Sequence, residues 1–269
     1  MMCQPLVPAK LRPFVLRVIG FEERHTDPMR RRELPFVGTP IILSFDSPYR
    51  LSTRDDPCIP SVTIPQFVAG LHETFTTSES TGTNWSIQID LSPIGAYRIL
   101  GLPLRELTNR IERVEDVLGQ SGAQLRSDLE ATDTWSERLI LVDAFLTDRI
   151  ARAASEEPEI AWAWRQLVTS NGLIAIRSLT GELDWSHRRL IDRFREQIGL
   201  PPKMIARQLR FQNAVQRLRT QPERSLADIA SATGYFDQAH FIKDFRSFAG
   251  VTPRQVRFEI EAESFPMDI

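Results

Sequence analysis

The sequence predicts an α+β chain in two parts, a strand-rich first half and an all-helical second half. Three observations predict it. Residues 10–92 carry short runs of β-forming residues separated by clusters of turn formers. From Glu159 onward the apolar residues recur at helical spacing. The charge also divides there: from Ile160 to Phe258 about sixteen Lys/Arg face about eight Asp/Glu, roughly +8, in a chain whose net charge is −2. The remainder is then about −10. A basic block beside an acidic one fits a half that meets nucleic acid joined to one that does not. A chain of 269 residues is long enough for two domains. Ser155-Glu-Glu-Pro158 reads as the linker, which places the domains at 1–155 and 156–262.

The expected strands lie in LRPFVLRVIGFEERH, TPIILSFD, PQFVAGLHE and NWSIQIDLS, with turns at His25–Pro28, Ser47–Pro48, Asp55–Pro57 and Ser78–Thr83. Short strands at this spacing suggest a small β-sandwich or open barrel. Helical signals follow. PIGAYRILGLPLRELTNR reads as two short helices broken at Gly101 and Pro103, and Ile111–Leu118 and Gln124–Leu129 as two more. The clearest helix is TDTWSERLILVDAFLTDRIARAA, capped by Asp133 or Thr134. Its stripe of Trp135, Leu139, Val142, Phe145, Leu146 and Ile150 can bury against its own domain or form a dimer seam.

In the second half, EIAWAWRQLVTSNG is one helix, closed by Asn171-Gly172. A helix-turn-helix follows, its first helix near Ile174–Gly181 and its second capped by Ser186, with Leu190, Phe194 and Ile198 turned to the core. KMIARQLRFQNAVQRLRT is a helix with a basic face, a rod of about 25 Å at 1.5 Å per residue. Ser225 with Asp228 starts another helix, Gly234 suits the tight turn that ends it, and Asp237 caps the next. Phe241, Phe245 and Phe248 share one face of that last helix; Gly250 and Pro253 end it, and an acidic tail runs from Glu259 to Ile269. Two short helices joined by a tight turn are the layout whose second helix enters the DNA major groove. Phe194, Phe211, Phe236, Phe241, Phe245 and Phe248 are expected in the core.

The run of Ile229-Ala230, Gly234, Tyr235, Asp237-Gln238, Phe241, Phe245, Gly250, Pro253 and Arg257 resembles the signature of AraC/XylS-type transcription regulators. The spacing of Ser186, Leu190, Phe194 and Gly199 is similar to the first of that family's paired motifs, although SLTGELDW replaces its alanine-rich turn. Strands followed by helices, together with IDLSPIGAYRILGLPLRELTNR, resemble the family's sensor half. The resemblance implies a cupin-like β-domain followed by helices, then an all-α domain with two helix-turn-helix motifs joined by a linker helix.

A step of 100° per residue from the core-facing positions turns Ala239, Lys243 and Arg246 outward on one recognition helix, with Gln238 in its first turn. It turns Arg188, Asp192 and Arg195 outward on the other. Base contacts are expected from Arg188, Asp192, Gln238, Ala239 and Lys243. Gln238 can bond adenine, Lys243 and Arg188 guanine, Asp192 a cytosine amino group, and Ala239 can pack on a thymine methyl. Asp192 can instead pair with Arg188 or Arg195. Phosphate contacts are expected from Ser186, Arg189, Arg193, Arg195, Arg207, Arg210, Arg217, His240, Arg246 and Arg254. In the first half, Phe36, Phe45, Phe67, His72, Trp85 and Gln88 are the pocket candidates for a small effector.

The histidines His25, His72, His187 and His240 form no HxH or HxxxH pair, so neither a metal nor another cofactor is expected. Cys3 and Cys58 form no CxxC pair, and Cys58 reads as a plain surface or core cysteine. No nucleophile elbow, phosphate loop or dinucleotide fingerprint occurs, so an enzyme with an appended DNA-binding domain is the disfavoured alternative. The expected partners are double-stranded DNA, a small-molecule effector, RNA polymerase and a second copy of the chain; no membrane partner is expected. A reducing cytoplasm is the expected compartment.

Overall fold

The computed structural model describes residues 2–53 and 61–261. Its first part is an eight-stranded antiparallel sheet: β1 (Met2–Cys3), β2 (Val15–Glu33), β3 (Thr39–Ser44), β4 (Tyr49–Thr53), β5 (Val62–Ile64), β6 (Gln66–Ala69), β7 (Thr76–Leu91) and β8 (Ile111–Arg113). Strand β7 is the spine. One edge pairs with β2 from Val15↔Leu91 to Glu33↔Thr76; the other is shared by β3, from Thr39↔Leu91, and β4, up to Thr53↔Thr76. β3 pairs onward with β6 and β4 with β5, and β5 and β6 are separated only by Pro65. The sheet thus returns on itself at that corner as a near-barrel.

Strand alternation gives the sheet two faces. Val18, Ile41, Leu43, Ile87 and Ile89 point to a core shared with the helices that follow, α1 (Pro93–Leu100), α2 (Val114–Leu118), α3 (Gln120–Glu130) and α4 (Trp135–Arg152). Ile42, Tyr49, Leu51, Ile64 and Phe67 form a second cluster inside the near-barrel. Ser92 caps α1 by accepting from the Gly95 N–H at 3.0 Å, and Gly101 ends it in the left-handed region at φ 71°. Thr134, not Asp133, caps α4. The α4 stripe packs on its own sheet: Val142 and Leu146 are buried there, and Trp135 stacks on Trp85 with centroids 5.8 Å apart. Trp135, Leu139, Phe145 and Ile150 of the stripe are half-buried against the same domain.

Three local expectations need correction. His25–Pro28 and Ser78–Thr83 are not turns; both lie within the paired β2 and β7, with a register shift between His25 and Met29 and a positive φ at Gly82. A bulge accommodates a residue without an N–H, and the long partner strand carries the pairing past it. Ile111–Leu118 is a strand followed by a short helix, not one helix. Asp55–Pro57 and Cys58 lie outside the described residues.

The second part is α5 (Pro158–Thr169), α6 (Ile176–Leu183), α7 (His187–Gln197), α8 (Pro202–Thr220), α9 (Leu226–Ala232), α10 (Gln238–Ala249) and α11 (Pro253–Glu261). α11 was not expected. Pro253 starts this helix instead of ending the previous one: the Thr252 hydroxyl accepts from the Gln255 N–H at 3.3 Å, and the Gln255 side-chain Oε1 accepts from the Thr252 N–H at 2.9 Å. That reciprocal pair is a capping box, with proline at the first helical position where its missing donor costs nothing.

The helix α8 is a core element as well as a spacer. Ile205 and Ala206 belong to the cluster around α5, α6 and α7, whereas Phe211, Ala214, Val215 and Leu218 belong to the cluster around α9, α10 and α11. The first part joins both clusters, contributing Val37, Leu71 and Ile94 to one and Leu34 and Phe75 to the other. Polar contacts tie the seam. Thr108 Oγ1 donates to the Gly199 carbonyl at 2.8 Å, Gln208 Nε2 to the His72 carbonyl at 2.6 Å, and the Phe75 N–H to the Phe248 carbonyl at 2.8 Å.

Candidate nucleic-acid interface and effector cavity

Each helix-turn-helix is fixed by local chemistry. In the first, Asp184 takes the left-handed turn position (φ 50°, ψ 40°), a conformation that Asp tolerates better than most side chains. The altered SLTGELDW segment therefore still makes the turn. Ser186 caps α7 by accepting from the Arg189 N–H at 3.2 Å. In the second, Ser225 caps α9, Gly234 turns at φ 78°, and Asp237 caps α10 by accepting from the His240 N–H at 2.7 Å. Leu190, Phe194 and Ile198 on one side, and Phe241, Phe245 and Phe248 on the other, are fully or almost fully buried. The opposite faces are thereby turned outward.

Arg188, Asp192 and Arg195 are exposed on α7; Gln238, Ala239, Lys243 and Arg246 are exposed on α10. Asp192 lies 3.8 Å from Arg188, one turn apart, as a loose pair on the exposed face of the helix. Arg189 is exposed, stacked 4.2 Å over Trp185. His240 is exposed beside Tyr235, and Arg254 is exposed on α11. Arg217 is half-buried and donates to Asn213 at 3.1 Å. Ser186 is exposed, with its hydroxyl oxygen engaged as the cap.

Three of the expected phosphate-contacting arginines are used inside the chain. Arg193 pairs with Glu157 and, at 2.6 Å, with Glu196. Arg207 grips the buried Asp244 with two nitrogens and lies 5.1 Å over the Phe248 ring. Arg210 donates to the Gly172 carbonyl at 3.0 Å and lies over Tyr235. Of the five donors each guanidinium carries, Arg207 commits the most, two to Asp244 alone. Phe236 is corrected in the opposite sense: it is 93% exposed. It sits in the turn just before Asp237, and Tyr235 takes the inward place, 5% exposed. Sequence reasoning missed this bare aromatic at the entry of α10, because phenylalanine defaults to the core.

The near-barrel forms a partly open cavity of about 210 Å³. Phe36, Phe67, His72 and Gln88 line it, and Arg17, Phe21, Glu23, Arg31, Glu33 and Tyr49 add to the wall. Phe45 and Trp85 do not. They occupy the helix-facing side of β7 and its partner loop, Trp85 on Trp135 and Phe45 under the Arg138 guanidinium at 4.9 Å. The reason is parity, since Trp85 and Gln88 are three residues apart on one strand and so face opposite ways. Arg31 is bound by both oxygens of Glu23, at 2.9 and 2.6 Å, and Arg17 pairs with Asp90, which also accepts from Gln88 at 3.0 Å. Burial pushes the Tyr49 phenol up to about 12 and holds the His72 imidazole below its ordinary value. Among the described residues no cluster of His, Cys, Asp or Glu could hold a metal ion, and no helix is long and apolar enough to cross a membrane.

Comparison with known proteins locates both halves. Residues 179–258 match the model of a helix-turn-helix domain, and residues 4–113 that of a domain of unknown function, DUF6597. The chain is 29% identical over 153 residues to the HTH-type transcriptional activator RhaR of Pectobacterium carotovorum, covering 53% of each protein. It is 30% identical over 84 residues to the HTH-type transcriptional regulator MtrA of Neisseria gonorrhoeae, covering 31% of this chain and 28% of that one. The chain thus spans about half, or less, of the length of these curated relatives. ToxT of Vibrio cholerae aligns over 90% of this chain and 96% of its own at 15% identity with a TM-score of 0.47; another ToxT structure holds an unsaturated fatty acid. Residues 179–258, with two helix-turn-helix units on one linker helix, thus form a helix-turn-helix domain of the AraC/XylS type.

Proposed function

We propose that this chain regulates transcription in the cytoplasm by reading two consecutive major grooves, with residues 156–262 as the reading domain and 1–155 as the sensor. The observation that carries the reading is the pair of outward faces, Arg188, Asp192 and Arg195 on α7 and Gln238, Ala239, Lys243 and Arg246 on α10, mounted at the two ends of α8. The nineteen residues of α8 make a rod of about 28 Å. With the width of the two motifs added, that suits grooves about 34 Å apart. Arg188, Gln238, Ala239 and Lys243 are the base readers, and Asp192 aims Arg188 or accepts from cytosine. Arg189, Arg195, Arg217, His240, Arg246 and Arg254 steady the backbone of the DNA. A small effector in the near-barrel cavity tunes this affinity, and RNA polymerase is the partner through which bound DNA is acted upon.

The test is selection of a preferred duplex from a random library by the full chain, followed by titrations. Lys243→Ala and Arg188→Ala should each weaken binding to the selected duplex by about 1–3 kcal/mol and relax the preference at a few positions. Arg195→Ala should weaken selected and random duplex alike and flatten the salt dependence by about one unit of slope. Equal losses on both duplexes for Lys243→Ala and Arg188→Ala would remove them from the base readers.

A further inference from the structure

Phe236 is the most exposed large apolar side chain among the described residues, at 93%. It stands directly before Asp237, the cap of α10. An apolar residue at that place ordinarily packs on the fourth residue of the helix it precedes. Here that residue is Phe241, which is fully buried, and Tyr235 packs on it instead, with ring centroids 5.1 Å apart. Phe236 joins none of the apolar clusters among the described residues. Its side chain thus adds no packing to the fold.

Its backbone, by contrast, is held on both sides. The Tyr235 N–H donates to the Ala230 carbonyl at 3.0 Å, and Asp237 accepts from the His240 N–H at 2.7 Å. A lone apolar side chain on a surface is common, so exposure alone decides nothing. The position of this one decides. Every residue from Phe236 to His240 is exposed, which makes the ring continuous with the first turn of α10 and with Gln238 and Ala239. Groove-entering helices meet base edges with their N-terminal residues. A phenyl ring gains nothing from the polar edge groups of bases or from a phosphate. The apolar group that a base displays in the major groove is the C5-methyl of thymine, and phenylalanine is among the side chains that pack on it.

We propose that Phe236 is a further specificity-determining residue, its ring packing on the C5-methyl of a thymine at the edge of the site that α10 enters. The inference rests on the reading of α10 as a recognition helix. The ring sits on the turn and not on the helix, so its thymine flanks the bases that face Gln238 and Lys243. The contact is apolar, so unlike an arginine on a phosphate it releases no counterion.

The full chain is titrated with its selected duplex and with copies in which each thymine of the α10 half-site is replaced in turn by deoxyuridine. That replacement removes only the methyl group. One such replacement should weaken binding of the unmodified chain about fourfold, the worth of one buried methyl. Phe236→Ala should weaken binding to the selected duplex about tenfold, leave the salt slope unchanged, and abolish the effect of that one replacement. Its unfolding midpoint should not move, because the side chain is exposed. In Ala239→Gly the same replacement should still cost about fourfold, which keeps the two apolar candidates apart. Four results overturn the proposal: a selected half-site without thymine, unchanged binding in Phe236→Ala, an equal loss on selected and random duplex, or replacements that all keep their effect in the variant. Intact DNA binding by Phe236→Ala with a lost transcriptional response would give the ring to RNA polymerase instead. A chain that selects no duplex defeats the DNA-reading function. A selected duplex whose preference Lys243→Ala relaxes and Phe236→Ala does not defeats this inference alone.

Discussion

An Arg207→Leu chain is expected to lose about 3–5 kcal/mol of folding stability, because it strands the Asp244 carboxylate in the core without its counterion. Asp244 is 5% exposed and takes both an Nε and an Nη2 donor from Arg207. Ser247, 3.4 Å from the same guanidinium, is the other polar neighbour on α10. The carboxylate is nearly shielded from solvent, although the guanidinium that holds it is 30% exposed. Removing one partner of a buried pair costs far more than the pair contributes, since the remaining charge keeps its full desolvation penalty. The double variant Arg207→Leu/Asp244→Leu should therefore recover much of the loss. Chemical denaturation of the three variants measures this directly. Arg195→Ala serves as the contrast: its side chain is exposed, and its stability should stay within about 0.5 kcal/mol of the unmodified chain. If Arg207→Leu kept full stability and instead weakened all DNA equally, Arg207 would be a phosphate contact after all.

That contrast shows which parts of the interface were legible. The recognition helices announce themselves locally. Ser186, Ser225 and Asp237 are capping residues, and Phe241, Phe245 and Phe248 mark the buried face, so the outward positions follow by rotation. Nothing local says that Arg207 meets Asp244, 37 residues further on, or that Arg210 meets the Gly172 carbonyl. Which basic residues of α8 remain available is decided by tertiary partners. The same holds for Phe236, which is exposed only because Tyr235 takes the one inward place at the turn. In the sheet, the opposite orientation of Trp85 and Gln88 was available from strand alternation alone. The bulge that lets β2 run through His25–Pro28 was not, because it depends on the length of its partner β7. Pro253 shows how one residue type carries two signals. It reads as a stop after Gly250, yet the Thr252–Gln255 capping box makes it the first residue of α11.

Phe75→Ala is expected to cost about 3–5 kcal/mol, the range for emptying a buried phenylalanine site, and to do so across the seam between the two halves. Phe75 precedes β7, so it belongs in sequence to the sheet, yet it is 9% exposed within the cluster of Phe211, Phe245 and Phe248. Its ring fills the space beside Gly250, where a Cβ would overlap it, and the Arg32 guanidinium covers it at 5.6 Å. Its N–H donates to the Phe248 carbonyl, the last turn of α10. Truncation leaves that hydrogen bond in place but opens a void beside Gly250 and under the Arg32 guanidinium. Each half keeps its own main cluster, so the loss should appear as weakened docking. Denaturation should separate into two transitions, and cleavage in the connection between α4 and α5 should quicken, while the selected duplex still binds. Leu6→Ala, at a residue 90% exposed, controls for removal of an apolar side chain outside the seam. A single transition with an unchanged midpoint in Phe75→Ala would show that the ring does not hold the halves together. The seam would then rest on Val37, Leu71 and Ile94 with the Thr108–Gly199 and Gln208–His72 hydrogen bonds, and Leu71→Ala should produce the two transitions instead.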